Sequence, residues 1–249
     1  MVIRALQNGT MFVELRDGDA PGLLMLHGWG RSRQDLAPCS EGNDVVLVDF
    51  PGFGSSPVPP SAWGAEEYAE CVAAALTELG SGPRTVVAHS FGGRVAIELA
   101  SRHPELVTGL VLMGVPIFRP LVKGKSSPVF RVIRTVAPHL PRGEALLEWS
   151  RQRYGSADYN ATSGVMRGVF VRVVNEEHGT QLGKVACPIA LLWGANDTAA
   201  PVWNLELATA VTDKIVFSMT VPSASHDVHK QAPEQVRLAI AAVAGAAVR

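Results

Sequence analysis

Val86-Val87-Ala88-His89-Ser90-Phe91-Gly92-Gly93 is the stretch from which the rest of the chain is read. The β-branched run Thr85-Val86-Val87 predicts a buried strand. A helical pattern follows at once, with Val95, Ile97, Leu99 and Ala100 among its apolar positions. One serine stands between them, flanked by small residues. A strand turning sharply into a helix, with Ser at the apex, strains the backbone and lifts the hydroxyl out of the sheet. Ala88 and Gly92, two residues either side, let neighbouring backbone pass without Cβ clashes. The helix starting after Ser90 aims its free N–H groups and positive end at any negative charge forming there. The plainer alternative is that Gly92-Gly93 only lets the helix pack closely on the sheet.

The composition fits one large α/β domain or two small ones. There are 249 residues, 47% of them hydrophobic, with a net charge of −1. That balance gives no global attraction to nucleic acid or to an acidic membrane surface. Cys39, Cys71 and Cys187 are an odd, widely spaced set. Neither a disulfide framework nor a metal site is expected from them, and no cofactor motif is found. The N-terminus lacks an apolar stretch of signal-peptide length, and no run is long enough to span a bilayer. A cytoplasmic protein is the expectation.

Taken in order, residues 2–6 and 11–15 read as a hairpin around Asn8-Gly9. Residues 22–26 are an apolar strand ending in His27-Gly28-Trp29-Gly30, a turn able to face backbone N–H groups to a ligand. Residues 45–48 are another buried strand, followed by Asp49-Phe50-Pro51-Gly52-Phe53-Gly54-Ser55-Ser56. Residues 65–79 predict an amphipathic helix. The helix after Ser90 runs to about Arg102, and residues 109–113 are a strand. This alternation predicts a mostly parallel sheet with an antiparallel start. Sites in such sheets lie beyond the carboxyl ends of the strands.

From Pro116 to about Lys184 strand-like runs become rare and short helical stretches replace them, at 129–137, 144–154 and 164–175. The segment is too long for an ordinary loop and reads as a helical cap. The expected organisation is a core of residues 1–116 and 185–249 with a cap of residues 117–184 inserted in it. Residues 118–153 hold Arg119, Lys123, Lys125, Arg131, Arg134, Arg142, Arg151 and Arg153 against Glu144 and Glu148, a net +6. The run is either a solvated face or a docking surface for an acidic partner. After the cap, residues 189–193 are a strand ending in Gly194-Ala195-Asn196-Asp197. A helix reaches roughly Val211, residues 214–220 are the last strand, and Ser225-His226-Asp227-Val228-His229 reads as a loop. Pro233-Glu234 starts the final helix.

A serine hydroxyl needs a base, and the base needs a carboxylate to fix its tautomer. Of seven histidines, His226 is preferred as the base because it comes first after the last strand; His229 is the runner-up. His89 adjoins Ser90 and is expected to point away from it. His27 is expected to fix its glycine turn. Asp197 is the preferred acid, with a turn-stabilising role as its alternative. Asp49 follows the wrong strand and reads as a loop-stabilising carboxylate. Asp227 adjoins His226 too closely to contact its ring.

Assembled in this order, Ser…Asp…His, the motifs resemble those of capped single-domain serine hydrolases of the α/β-hydrolase fold superfamily. The match covers His27-Gly28-Trp29-Gly30, residues 49–55, residues 88–93, Trp193-Gly194-Ala195-Asn196-Asp197 and His226 ahead of Pro233-Glu234. It implies an α/β fold with a mostly parallel central sheet of about eight strands and a helical cap. It further implies Ser90 as nucleophile, His226 as base and Asp197 as orienting carboxylate, with an oxyanion hole from the backbone N–H groups of Trp29 and Phe91. Ala88 departs from the family's usual glycine. The implied substrate is a small acyl ester, cleaved without a cofactor. The His27–Gly30 turn also resembles that of carboxylesterases acting on pimeloyl-type methyl esters carried by acyl carrier protein, and the basic cap segment would suit an acidic carrier. The same triad also serves relatives that cut C–C or amide bonds, and some relatives of this fold only bind ligands.

Overall fold

A computed structural model describes residues 1–17, 20–40, 42–80, 82–119, 132–133, 135–154 and 157–247. Eight strands form one sheet: β1 (Val2–Leu6), β2 (Met11–Arg16), β3 (Ala20–Leu26), β4 (Asn43–Asp49), β5 (Arg84–His89), β6 (Val107–Met113), β7 (Ile189–Gly194) and β8 (Ile215–Val221). Their spatial order is β1-β2-β4-β3-β5-β6-β7-β8. β1 pairs antiparallel with β2, and β2 with β4; every later pairing is parallel. The expected α/β fold, with its antiparallel start, is the fold observed.

The inner strands β4, β5, β6 and β7 are largely apolar and buried because both faces are covered, whereas the edge strand β1 is mostly exposed. Alternate residues supply the two sides: Val86 and Ala88 face one core, and Val87 faces the other. On the first face lie α1 (Ala65–Leu79), with Tyr68, Val72 and Leu76 buried, and α2 (Phe91–Arg102), with Val95, Ile97 and Leu99 buried. The second face is covered by the C-terminal helix Pro233–Ala247, through Val236, Ala239 and Val243. Burying each such side chain is worth about 1.5–3 kcal/mol.

The topology decides where a site can form. The chain leaves β3, forms β4 on one side of it, and returns to form β5 on the other. Leu26 at the end of β3 therefore pairs with Ala88 of β5. Two turns distant in sequence, 27–30 and 90–93, emerge side by side at this switch point.

Between β6 and β7 the described helices are α3 (Gly143–Tyr154), α4 (Ala157–Ala161), α5 (Gly164–Val173) and α6 (Gly179–Leu182). The helices expected at 144–154 and 164–175 are present. Of the one expected at 129–137, residues 132–133 and 135–136 are helical and Ala137 opens a 3-10 turn, while the rest lies outside the described residues, as do Lys123, Lys125, Arg131 and Arg134 of the basic run. α7 (Trp203–Val211) follows β7. One expectation needs correction: residues 225–229 are not all loop, because Val228–Gln231 form a short helix, α8. Its single turn was invisible as periodicity. Among the described residues, no helix is long and apolar enough to cross a membrane. Cys39, Cys71 and Cys187 are free thiols.

Candidate active site

Ser90 sits at the apex between β5 and α2 with φ 50° and ψ −111°, in a region that side-chain-bearing residues rarely adopt. Its N–H donates to Met113 O at 2.9 Å, and its carbonyl accepts Gly93 N–H at 3.0 Å, so both sides of the strained residue are held. A Cβ at Gly92 would lie 2.2 Å from the carbonyl oxygen of Leu26, and one at Gly93 would strike Val115. The glycine pair thus serves the packing of α2 against β3 as well as the turn.

His226 Nε2 lies 2.9 Å from Ser90 Oγ, and His226 Nδ1 lies 2.8 Å from Asp197 Oδ2. The Asp197 side chain is fully buried, while that of His226 is 29% exposed. The other Asp197 oxygen, Oδ1, accepts the backbone N–H groups of Ala199 at 2.9 Å and Ala200 at 2.8 Å. Its turn role and its histidine contact therefore coexist, one on each oxygen. Those two backbone bonds hold the carboxylate in one orientation.

The three residues come from the ends of β5, β7 and β8, and β6 runs between the first two. Gly114, directly after β6, has φ +53°. A Cβ there would lie 2.9 Å from Asp197 Oδ2 and 3.3 Å from His226 Nδ1. Gly114 clears the space in which the Asp–His contact forms. Sequence reasoning missed it; its only signal is a glycine closing an apolar strand.

The remaining sequence candidates fall elsewhere. Asp49 accepts Arg33 N–H at 2.6 Å and Ser55 N–H at 2.8 Å and pairs with the Arg33 guanidinium, as a loop carboxylate does. His27 Nδ1 donates to Gly28 O at 2.8 Å, while Nε2 accepts Phe50 N–H at 3.2 Å, so it ties the glycine turn to the end of β4. Burial pushes its imidazole down to about 4. Asp227 accepts Arg31 Nη2 at 2.9 Å, joining the His226 segment to the glycine turn. His89 points away from Ser90 and donates from Nε2 to the His226 carbonyl at 3.0 Å. Burial, with His229 and His226 beside it, holds His89 well below its ordinary range.

His229 is not in the site. It is buried, its ring centroid 4.4 Å from that of His89, with Nε2 3.3 Å from Asp35 Oδ2. Asp35, His89 and His229 bring ligand-type atoms within 4.8 Å of one another. However, Lys230 Nζ stands 2.6 Å from Asp35 Oδ1 and already supplies a cation there. Burial alone would raise the Asp35 carboxyl; His229 and Lys230 outweigh it and hold the carboxyl well below the usual range.

Ser90 and His226 open into a cavity of about 900 Å³. Trp29 and Phe91 line it too, their rings 5.5 Å apart and edge to face. Phe91 is the first residue of α2, where an N–H has no helical acceptor. The segment between β6 and β7 contributes Phe118, Phe170, Val173 and Val174 to the walls.

The α/β hydrolase fold model matches residues 21–143. LipZ of Mycobacterium tuberculosis is 32% identical over 226 residues, 77% of each chain. The chain belongs to the α/β-hydrolase family. It is a hydrolase. Another relative of this α/β-hydrolase, at 28% identity over 245 residues, is the pimeloyl-[acyl-carrier protein] methyl ester esterase of Chromobacterium violaceum. The match covers 87% of the present chain and 91% of that one. Among solved structures, a hydrolase from Pseudomonas aeruginosa shares the fold with a TM-score of 0.72 at 20% identity, over 98% of both chains.

Proposed function

We propose that this α/β-hydrolase cleaves carboxylic esters through an acyl-enzyme on Ser90. The observation that carries the reading is the continuous contact Ser90 Oγ to His226 Nε2 at 2.9 Å and His226 Nδ1 to Asp197 Oδ2 at 2.8 Å. His226 takes the Ser90 proton as Oγ attacks the acyl carbon. Asp197 keeps Nδ1 protonated and stabilises the imidazolium. The oxyanion is received by the backbone N–H groups of Trp29 and Phe91, and each such donor contributes about 100- to 1,000-fold in rate. His226 then protonates the leaving alcohol. Water attacks the acyl-enzyme, passes its proton to His226 and releases the acid, and the proton returns to Ser90. Residues 117–184 act as a cap, a reading supported by Phe118, Phe170, Val173 and Val174, which line the same cavity as Ser90.

The test is intact mass after exposure to a fluorophosphonate. One adduct on wild type and none on Ser90→Ala is expected. No adduct on folded wild type would overturn the reading and favour a hydrolase-fold protein that only binds its ligand.

A second reading concerns the leaving end of the substrate. The Chromobacterium violaceum relative is named for an ester on acyl carrier protein, and residues 118–153 here carry a net +6. An acidic carrier would suit that charge. Reversing Arg131 and Arg134 should slow turnover of a carrier-linked ester while sparing a free small ester. Equal effects on both would sink the carrier.

A further inference from the structure

Arg94 lies one helical turn beyond Ser90 in α2. A guanidinium is rarely buried without a carboxylate, because desolvating a charge is costly unless it is paired. Arg94 is only 6% exposed, yet among the described residues it forms no ion pair. Its single hydrogen bond runs from Nη1 to the carbonyl oxygen of Val173, at the C-terminal end of α5. Among the described residues, Nε and Nη2 find no hydrogen-bond partner. Arg94 lines the same cavity as Ser90 and His226.

The carboxylate that acts on it electrostatically is Glu176. That residue is engaged elsewhere: Oε2 accepts Ala65 N–H at 3.0 Å and Oε1 faces Arg172 at 3.6 Å. Asp158 also lines the cavity but is exposed and makes no ion pair with Arg94. Arg119, a second cation of the wall, is itself exposed and among the described residues reaches the carbonyl and side-chain oxygens of Asn175. The wall also holds the apolar side chains of Phe118, Phe170, Val173 and Val174. Burial pushes the guanidinium down to about 10, so it keeps its charge at neutral pH.

A buried cation, short of an acceptor, facing a mostly apolar cavity beside an activated serine is a receptor for an anion on the substrate. We infer that Arg94 binds a carboxylate carried by the ester substrate, so that the preferred substrates are monoanionic esters rather than neutral ones. The anion completes the hydrogen bonding of Nε and Nη2, and its charge is desolvated against a fixed partner. The one-turn spacing along α2 keeps the anion and the scissile carbonyl in one compact molecule. This inference rests on the proposed esterase reading.

The experiment compares kcat/KM for monomethyl glutarate with dimethyl glutarate, and for O-acetylglycolate with its methyl ester. The first pair places the anion on the acyl side, the second on the alcohol side. In wild type at least one anionic ester should exceed its neutral partner about tenfold or more, the worth of a charge-assisted hydrogen bond. Arg94→Gln should collapse that ratio, and Arg94→Lys should restore part of it. Equal rates within both pairs in wild type would overturn the inference. So would a ratio that survives Arg94→Gln, or a variant that slows both members of a pair alike, since a brace between α2 and α5 would do that. A readout without turnover separates this site from the triad. Glutarate or glycolate should bind to Ser90→Ala by calorimetry and bind about tenfold more weakly to Ser90→Ala/Arg94→Gln. Unchanged binding, or none to either protein, overturns the anion site. Failure of the fluorophosphonate adduct overturns the serine chemistry alone.

Discussion

Two histidine–carboxylate pairs lie within a few residues of each other and do different work. His226 faces Asp197 at 2.8 Å; His229, three residues on, faces Asp35 at 3.3 Å. Asp35 is shared with Lys230, and the His229 side chain is 1% exposed. Among the described residues Asp197 has no cation but the histidine, its second oxygen is filled by backbone N–H groups, and His226 opens to the cavity. A histidine beside a carboxylate is thus not by itself a candidate base. What distinguishes the two is access to the cavity and a serine hydroxyl 2.9 Å from the far nitrogen of His226. His89 connects them, its ring tilted against that of His229 at 4.4 Å and its Nε2 donating to the His226 carbonyl.

The contrast can be broken most directly at the carboxylates. Asp197→Asn should fold and lose about 10⁴-fold in kcat, because the imidazole loses its tautomer. Near-normal turnover would show that Asp197 only holds its turn. Next in size is a pH effect from the buried histidines. His27 is at about 4 in the fold against 6.5 when free. Below pH 6.5 the unfolded chain binds a proton there that the folded chain refuses until near pH 4. The stability is therefore complete above 6.5 and is lost as pH falls through that window, by roughly 3 kcal/mol. Thermal midpoints of wild type and His27→Gln should converge between pH 7 and 4; parallel curves would remove this account.

Gly114→Ala comes third. Its Cβ would press on Asp197 Oδ2 and the φ is left-handed, so the Asp–His contact should shift and turnover fall about 100-fold. Unchanged kinetics would mean that the loop after β6 yields. The smallest effect is expected at the second pair. Asp35→Asn should change kcat less than about tenfold, since its partners meet no substrate. A loss as large as that of Asp197→Asn would place both pairs in the chemistry.

Most of the fold was legible because its signals are local. Continuous apolar runs mark strands covered on both faces, and turn chemistry after each one marks the carboxyl end of the sheet. Ser90, Asp197 and His226 were legible as candidates because each follows such a strand. His229 remained an alternative because spacing along a loop does not say which ring turns outward. The short helix Val228–Gln231 does say it, and one turn has too few residues to show a period.

By itself the sequence determined the α/β alternation, the strained serine between strand and helix, and the family. Only the tertiary structure decided which side chains meet. The pairing of β3 with β5 brings residues 27–30 beside Ser90, a bare glycine after β6 lets Asp197 and His226 touch, and the packing of α5 on α2 leaves Arg94 buried with one acceptor. Each depends on backbone brought from far along the chain, where local pattern carries no record of distance.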